Sequence, residues 1–334
     1  MSKKRKITII IPTKNRSKYL NKFLIKCEKI FKPFDHYYLI IDASDNVSFK
    51  KNRIFLSKYK KLKIIKQSSK GIQRGCCEAL KYVKTKDVVI LYDDDELSRQ
   101  IRKIYNSNID NLDKFSFGHG IVLDINKKIS FKKLENFKIE KNHLLKSYFG
   151  LNINKFFNKK NINKNIQLPV SPICGSFKLS ILNYWKTMIF RFAKKSSFRN
   201  FMLLEKEVGP DLLIYLFSIK KFKTFKFNTP HVAKFSSHKN SISIIYGANF
   251  LRIGYWLARV CFFETYEKNK GEVRNYMYTY LIITGIYLLF YNFLKFYYLK
   301  NIFYEILTLL FSKNKKFVFG YMYKIIKNKI SVNG

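Results

Sequence analysis

Four short apolar runs, each stopping at a polar, proline or acidic residue and spaced by helix-period sequence, restrict the opening of this chain to one kind of architecture. Ile7–Ile11 is β-branched throughout and is closed by Pro12. Tyr37–Ile41 ends at Asp42, Leu62–Ile65 follows, and Asp87–Tyr92 runs into Asp93-Asp94-Asp95-Glu96. Lys18–Phe31 carries Tyr19, Leu20, Phe23, Leu24, Cys27, Ile30 and Phe31 at helical spacing, with Ser17 as the expected N-cap. Cys76–Val83 reads as a second helix. Apolar strands joined by helices are expected to be parallel and covered on both faces. Ligands of such sheets bind beyond the carboxyl ends of the strands. Pro12-Thr13, Asp42 and the acidic run all fall at those ends, so three separate positions converge on one crevice.

The acidic run is the sharpest chemical signal. Adjacent carboxylates repel one another, and a strand end gathers several of them in one cleft. A hard divalent cation, Mn2+ or Mg2+, relieves that repulsion and takes phosphate oxygens as its remaining ligands. It can then neutralise charge on a departing diphosphate. The competing reading is an acidic loop balanced by lysines.

Lysines are plentiful: 65 Lys+Arg stand against 22 Asp+Glu, a net charge of +43. Lys/Asn/Ile-heavy text such as Asn158–Asn165 and Lys295–Asn301 fits an AT-rich coding sequence, which raises Lys without selecting for function. The other reading is attraction to an anionic membrane surface, since basic residues lie among aromatic helices. Nucleic acid is not expected as a partner: there is no zinc-finger spacing, RNP-like motif or heptad-linked basic region, and the charge is spread along the chain. The five cysteines lack metal-ligand spacing, and MSKKRK leads straight into a strand-like run rather than a signal peptide. Both point to reduced thiols in a cytosol.

A hairpin is expected over residues 114–133 with Asn126-Lys127 at its turn, and Leu134–Leu168 is the expected place for a loop or insertion. Asp211–Ile219 reads as a helix opened by Gly209-Pro210, because proline suits a first helical turn. Beyond about Ser241 the sequence is helical, aromatic and basic.

Ile7–Phe23 (ITIIIPTKNRSKYLNKF) resembles the opening of family 2 glycosyltransferases, in which a first strand ends in Pro-Thr and leads through Asn-Arg to a helix. The resemblance continues at Ile40–Ser44, through Gly71–Leu80, and at Val88–Glu96, which is similar to the family's Asp-x-Asp stretch. It implies an α/β GT-A fold: a Rossmann-like, mostly parallel sheet sandwiched by helices, here with a C-terminal helical extension. It implies transfer of a sugar from a nucleotide-diphosphate sugar to a glycan or lipid-linked acceptor, with inversion, in bacterial surface-glycan synthesis. By position, Pro12, Thr13 and Asp42 line the nucleoside pocket, and Asn15, Arg16, Gly71, Arg74 and Asp94 join the donor-binding set. Asp93 and Asp95 form the Asp-x-Asp pair with Asp95 the metal ligand, in a register ambiguous by one. Cys76-Cys77 departs from the family, many of whose members have Arg-Asn there. Asp211 is the candidate general base, with Glu205 and Glu207 as backups; Pro210 stands where relatives carry a glutamate. A helix start would favour its ionised form. His238 resembles a late histidine that touches the metal or diphosphate in some relatives, and Leu168–Ser176 falls where acceptor loops lie.

The expected organisation is a catalytic domain over 1–240, with a donor half at 1–113 and an acceptor half at 114–240, followed by a helical region at 241–334. Asn275–Leu294 lacks charge over a length that could span a bilayer. Yet Tyr276, Tyr280, Tyr287 and Tyr291 form a stripe opposite Tyr278, Ile282, Leu289 and Phe293, which suits a helix lying in the headgroup layer at the cytoplasmic face, or one packed on the catalytic domain. Two other readings stay open: a basic protein of this fold that binds without catalysing, and a nucleotidyltransferase. The latter wants a glycine-rich loop after the first strand, and Pro12–Arg16 has no glycine.

Overall fold

The computed structural model describes residues 5–110, 115–124, 171–222, 225–237 and 242–265. Its main sheet has five strands in the order β3-β2-β1-β4-β7. The first four are parallel: β1 (Lys6–Thr13), β2 (Asp35–Asp42), β3 (Leu62–Lys66) and β4 (Asp87–Ile90). The short β7 (Phe177–Lys178) closes the edge antiparallel to β4. β1 and β4 sit centrally, and Ile7, Ile9, Ile10, Ile11, Val88 and Val89 have essentially no exposed surface. That double-sided burial is why these strands read as continuous apolar runs.

Helix α1 (Ser17–Phe31) covers the sheet with Leu20, Phe23, Leu24, Cys27, Ile30 and Phe31, while Tyr19 points outward. Ser17 is its first residue, not its cap; Arg16 holds the cap position and makes no side-chain cap bond. The start is set by Asn15, whose left-handed backbone (φ 53°) donates its N–H to Ser44 Oγ at 2.7 Å. Helix α2 (Asn46–Leu56) was not expected, because only Asn52 and Leu56 are buried on it; Asp45 caps it by accepting from Ser48 N at 2.8 Å. Helix α3 (Ile72–Ala79) starts four residues before the expected Cys76 and continues as a 3-10 turn, Leu80–Tyr82.

Past the acidic run, β5 (Glu96–Leu97) and α4 (Ile101–Asp110) lead to β6 (Phe115–Asp124). A hairpin partner was expected for β6; its pairing is instead parallel, with the distant β8 (Phe225–Ser237), giving a second sheet of order β5-β8-β6. Asn126-Lys127 and residues 134–168 lie outside the described residues. The other helices are α5 (Leu179–Ala193), α6 (Ser197–Asn200), a π turn at Phe201–Glu205, α7 (Pro210–Phe222) and α8 (Ile242–Thr265). Phe115, Phe177 and Tyr215 join the two sheets to α7, with ring centroids 5.3 to 6.0 Å apart. Trp185 of α5 is fully buried and donates Nε1–H to Pro210 O at 2.9 Å, fixing where α7 begins.

Candidate functional site

β1, β2 and β4 all point their carboxyl ends at one place. Beyond Ile90, Leu91 N still bonds Ile10 O, and then a turn closes with Asp95 N donating to Tyr92 O at 3.2 Å. This turn fans Tyr92, Asp93 and Asp95 toward different partners. Thr13 Oγ1 donates to Asp93 Oδ2 at 2.5 Å, and both residues are about 5% exposed. Arg16 Nη1 reaches Asp93 at 3.2 Å and Asp94 at 2.5 Å. Asp95 is buried and accepts from Ser236 N of β8 at 3.2 Å. Glu96 leaves the cluster for Lys26 and Lys234.

Loss of water pushes the Asp93 carboxyl up to about 6 against the opposing pull of Thr13 and Arg16. Burial, then the neighbouring Asp94, drives Asp95 well above the ordinary range. Enclosed carboxylates held this way have charge that a divalent cation would relieve, and Asp93 and Asp95 fit such an ion chemically. Among the described residues no three His, Cys, Asp or Glu side chains gather around one point.

Asp42 is fully buried; its Oδ1 accepts from Ser44 N and its Oδ2 from Asn52 Nδ2, both at 2.8 Å. It shapes the turn after β2. Asn15 Oδ1 accepts from Asp45 N at 3.2 Å, so the β1 and β2 loops are tied into one floor with Pro12 and Thr13. Gly71 opens α3 at φ 109°, where an added Cβ would meet Glu207 Oε1 at 2.5 Å. Arg74 Nε is buried without a hydrogen-bond partner among the described residues.

Asp211 lies in the first turn of α7, partly exposed. Gln73 Nε2 donates to its Oδ1 at 2.6 Å, and Tyr92 Oη lies 3.2 Å from Oδ1 and 3.3 Å from Oδ2. The helix start was expected to favour the ionised form, but desolvation outweighs it and raises the carboxyl to about 7. Glu207, a backup for the same role, accepts from Ile72 N at 2.8 Å and Gln73 N at 2.6 Å, so it caps α3. Glu205 faces outward to Asn200. Of the expected acceptor segment, Ser171–Ser176 is buried and pinned by Tyr105 and Tyr215 through the carbonyls of Ile173 and Ser171. His238 lies outside the described residues.

The sequence reading missed Gln73, Tyr92 and Ser236. For Gln73 a signal existed: a glutamine on the apolar face of a short helix must find a partner once buried.

The family model of glycosyl transferase family 2 matches residues 8–178, just over half of the chain. No curated protein matches it in sequence. Among solved structures, a mannosyltransferase from Pyrobaculum calidifontis in complex with GDP-Man and Mn2+ superposes with a TM-score of 0.50 at 12% identity, covering 92% of this chain and 75% of that one. S. aureus TarS in complex with UDP-GlcNAc gives 0.45 at 10% identity, over 84% and 81%. Glucosyl-3-phosphoglycerate synthase from Mycobacterium tuberculosis, in complex with Mn2+, UDP-Glc and phosphoglyceric acid, gives 0.46 at 7%, over 77% and 80%. The first of these likenesses carries the fold: a GT-A arrangement of a mainly parallel sheet between helices.

Proposed function

The chain belongs to glycosyl transferase family 2, and on that premise we propose that it moves a sugar from a nucleotide-diphosphate sugar to an acceptor hydroxyl with inversion, using Asp211 as general base. One observation carries this reading: the residues at the end of β4 face two ways, Asp93 toward Thr13 and Arg16, and Tyr92 toward Asp211. Donor-side charge and a proton acceptor thus stand at opposite sides of one strand end. The donor half (1–113) holds the nucleotide over the floor built by Pro12, Thr13 and Asn15. Arg16, which reaches the acidic run, and Arg74, whose Nε has no hydrogen-bond partner among the described residues, would be the cations that meet the diphosphate. Asp95 and Asp93 would hold Mn2+ or Mg2+, which supplies charge neutralisation of the departing diphosphate when bound.

In the reaction the acceptor oxygen forms a bond to the anomeric carbon as the bond from that carbon to the diphosphate oxygen breaks. The electron pair leaves on the nucleoside diphosphate, and the acceptor's proton passes to the Asp211 carboxylate. A positioned base of this kind contributes about 10²–10⁴ in rate. A group raised to about 7 is matched to the task, being ionised often enough to accept and basic enough to hold the proton. The acceptor is a glycan or lipid-linked precursor, approached from the 114–240 half. The basic, aromatic sequence of 241–334 would keep the protein on the anionic inner membrane surface. No described helix is long and apolar enough to cross a membrane.

A thermal-shift series of nucleoside diphosphates with and without Mn2+ tests the donor site. A ligand at 100 times its Kd stabilises by about 2.7 kcal/mol, so a metal-dependent rise for one base is expected. Asp95→Ala should abolish transfer and keep the fold. Metal-independent binding together with near-normal turnover of that variant would remove the reading.

A further inference from the structure

Among the described residues, no lysine or arginine side chain bonds Asp211. The groups facing it are neutral or acidic: Gln73 from α3, Tyr92 from the end of β4, Glu207 from the preceding loop, Cys76 from α3, Tyr215 from α7 and Tyr255 from α8. Two of these, Gln73 and Tyr92, bond it and also each other. One Gln73 Nε2–H goes to Asp211 Oδ1 at 2.6 Å, and the same nitrogen lies 3.4 Å from Tyr92 Oη. The phenol, accepting from the amide, spends its single proton on the carboxylate. Among the described residues, Oδ1 therefore takes the short amide bond and a share of the phenol, while Oδ2 has the 3.3 Å contact with Tyr92 alone.

Resting on the reading of Asp211 as base, we propose that Gln73 and Tyr92 are positioning residues that anchor Oδ1 and leave Oδ2 as the oxygen that takes the acceptor's proton. Position 73 is itself held. Glu207 bonds the first two α3 amides, Ile72 N and Gln73 N, and Gly75 packs so closely on Gln67 that an added Cβ would meet its Oε1 at 2.5 Å. The helix cannot slide without breaking these contacts. The arrangement also gives Cys76-Cys77 a place: both are buried, with burial pushing their thiols up, Cys77 to about 12. The base is oriented by an amide and a phenol. Both donors favour its charged form, opposing the desolvation that raises it.

The test compares wild type with Gln73→Met, which removes the amide at similar length, and Tyr92→Phe, which removes one hydroxyl. The full chain is assayed for transfer across pH, with donor binding followed by calorimetry in the presence of Mn2+. Each variant is expected to lower kcat about ten- to hundredfold. The KM for donor and the calorimetric affinity should stay within about twofold, and the acid limb of the kcat profile should move to higher pH, because a donor to the charged form is gone. Unchanged kcat in both variants overturns the proposal, as does a fall in donor affinity matching the fall in kcat. Asp211→Asn separates the two levels. If it retains transfer, the base reading fails; if it is inactive while Gln73→Met is normal, only the positioning role fails.

Discussion

Glu207 offers a quantitative check on how the loop before Asp211 is held. It sits at φ 56°, a left-handed conformation unusual for a glutamate, and its carboxylate accepts from Ile72 N and Gln73 N at 2.8 and 2.6 Å. Removing a side-chain cap from a helix start costs about 1 kcal/mol and up to about 2. Burial holds the Glu207 carboxyl above its ordinary 4.5 in spite of these bonds, so the desolvated charge returns part of that gain and the lower figure applies. Glu207→Ala loses the cap and keeps the backbone strain, a loss of about 1 kcal/mol. Glu207→Gly loses the same cap but relieves a left-handed cost of about 1–2 kcal/mol. The extra freedom of glycine in the unfolded chain gives back about 0.4–1 kcal/mol. Glycine should therefore be the milder substitution, by several tenths to about 1 kcal/mol. Urea unfolding followed by tryptophan fluorescence suits the measurement, since Trp185 bonds the Pro210 carbonyl beside this loop. The pH dependence has a fixed sign: a raised carboxyl contributes stability that is present below 4.5 and lost as pH rises through its folded value. The gap between wild type and either variant should accordingly be wider at pH 4 than at pH 8. An alanine variant as stable as the glycine variant, or a gap that widens with pH, would refute this account of the clamp.

Two more outcomes follow from the same loop. Because the base must be ionised and Asp211 lies at about 7, the transfer rate should climb about tenfold between pH 6 and 8, where an ordinary aspartate gives a flat line; a flat kcat profile counts against Asp211. Gly254→Ala in α8 would place a Cβ 2.2 Å from Val208 Cγ1 and 3.0 Å from Val208 O. Overpacking costs about 1–3 kcal/mol and the helical gain from alanine returns about 1. A net loss in urea unfolding that Val208→Ala rescues is expected, and a stabilised single variant would show that the loop yields freely.

The parallel core was legible because Ile7–Ile11 and Val88–Leu91 are buried on both faces, and a strand covered twice has no reason to alternate. The same logic located Thr13 and the acidic run, since strand ends are where such sheets bind ligands. What stayed hidden depended on pairings distant along the chain. Nothing local to Phe115–Asp124 distinguishes a hairpin arm from a strand pairing in parallel with Phe225–Ser237. Helix α2 was masked because a surface helix needs only a cap and one or two buried side chains, here Asp45, Asn52 and Leu56. The site repeats the pattern at higher cost.

Asp211 was visible as an acid at a helix start, and that local view predicted a carboxylate favoured in its ionised form. The desolvation that reverses the sign comes with burial, and the bonds from Gln73 of α3 and from Tyr92 after β4, elements that sequence spacing does not bring together, lower the carboxyl only part of the way back. A helix dipole at a surface is worth about 0.3–1 kcal/mol, less than one pKa unit. Enclosure by packed side chains moves a carboxyl by several units, so packing decides the ionisation here and the helix end only trims it. Asp93 obeys the same ordering, rising to about 6 although Arg16 and Thr13 both contact it. In this chain the candidate site residues are therefore readable from strand ends and helix starts, while their protonation states belong to the fold that closes over them.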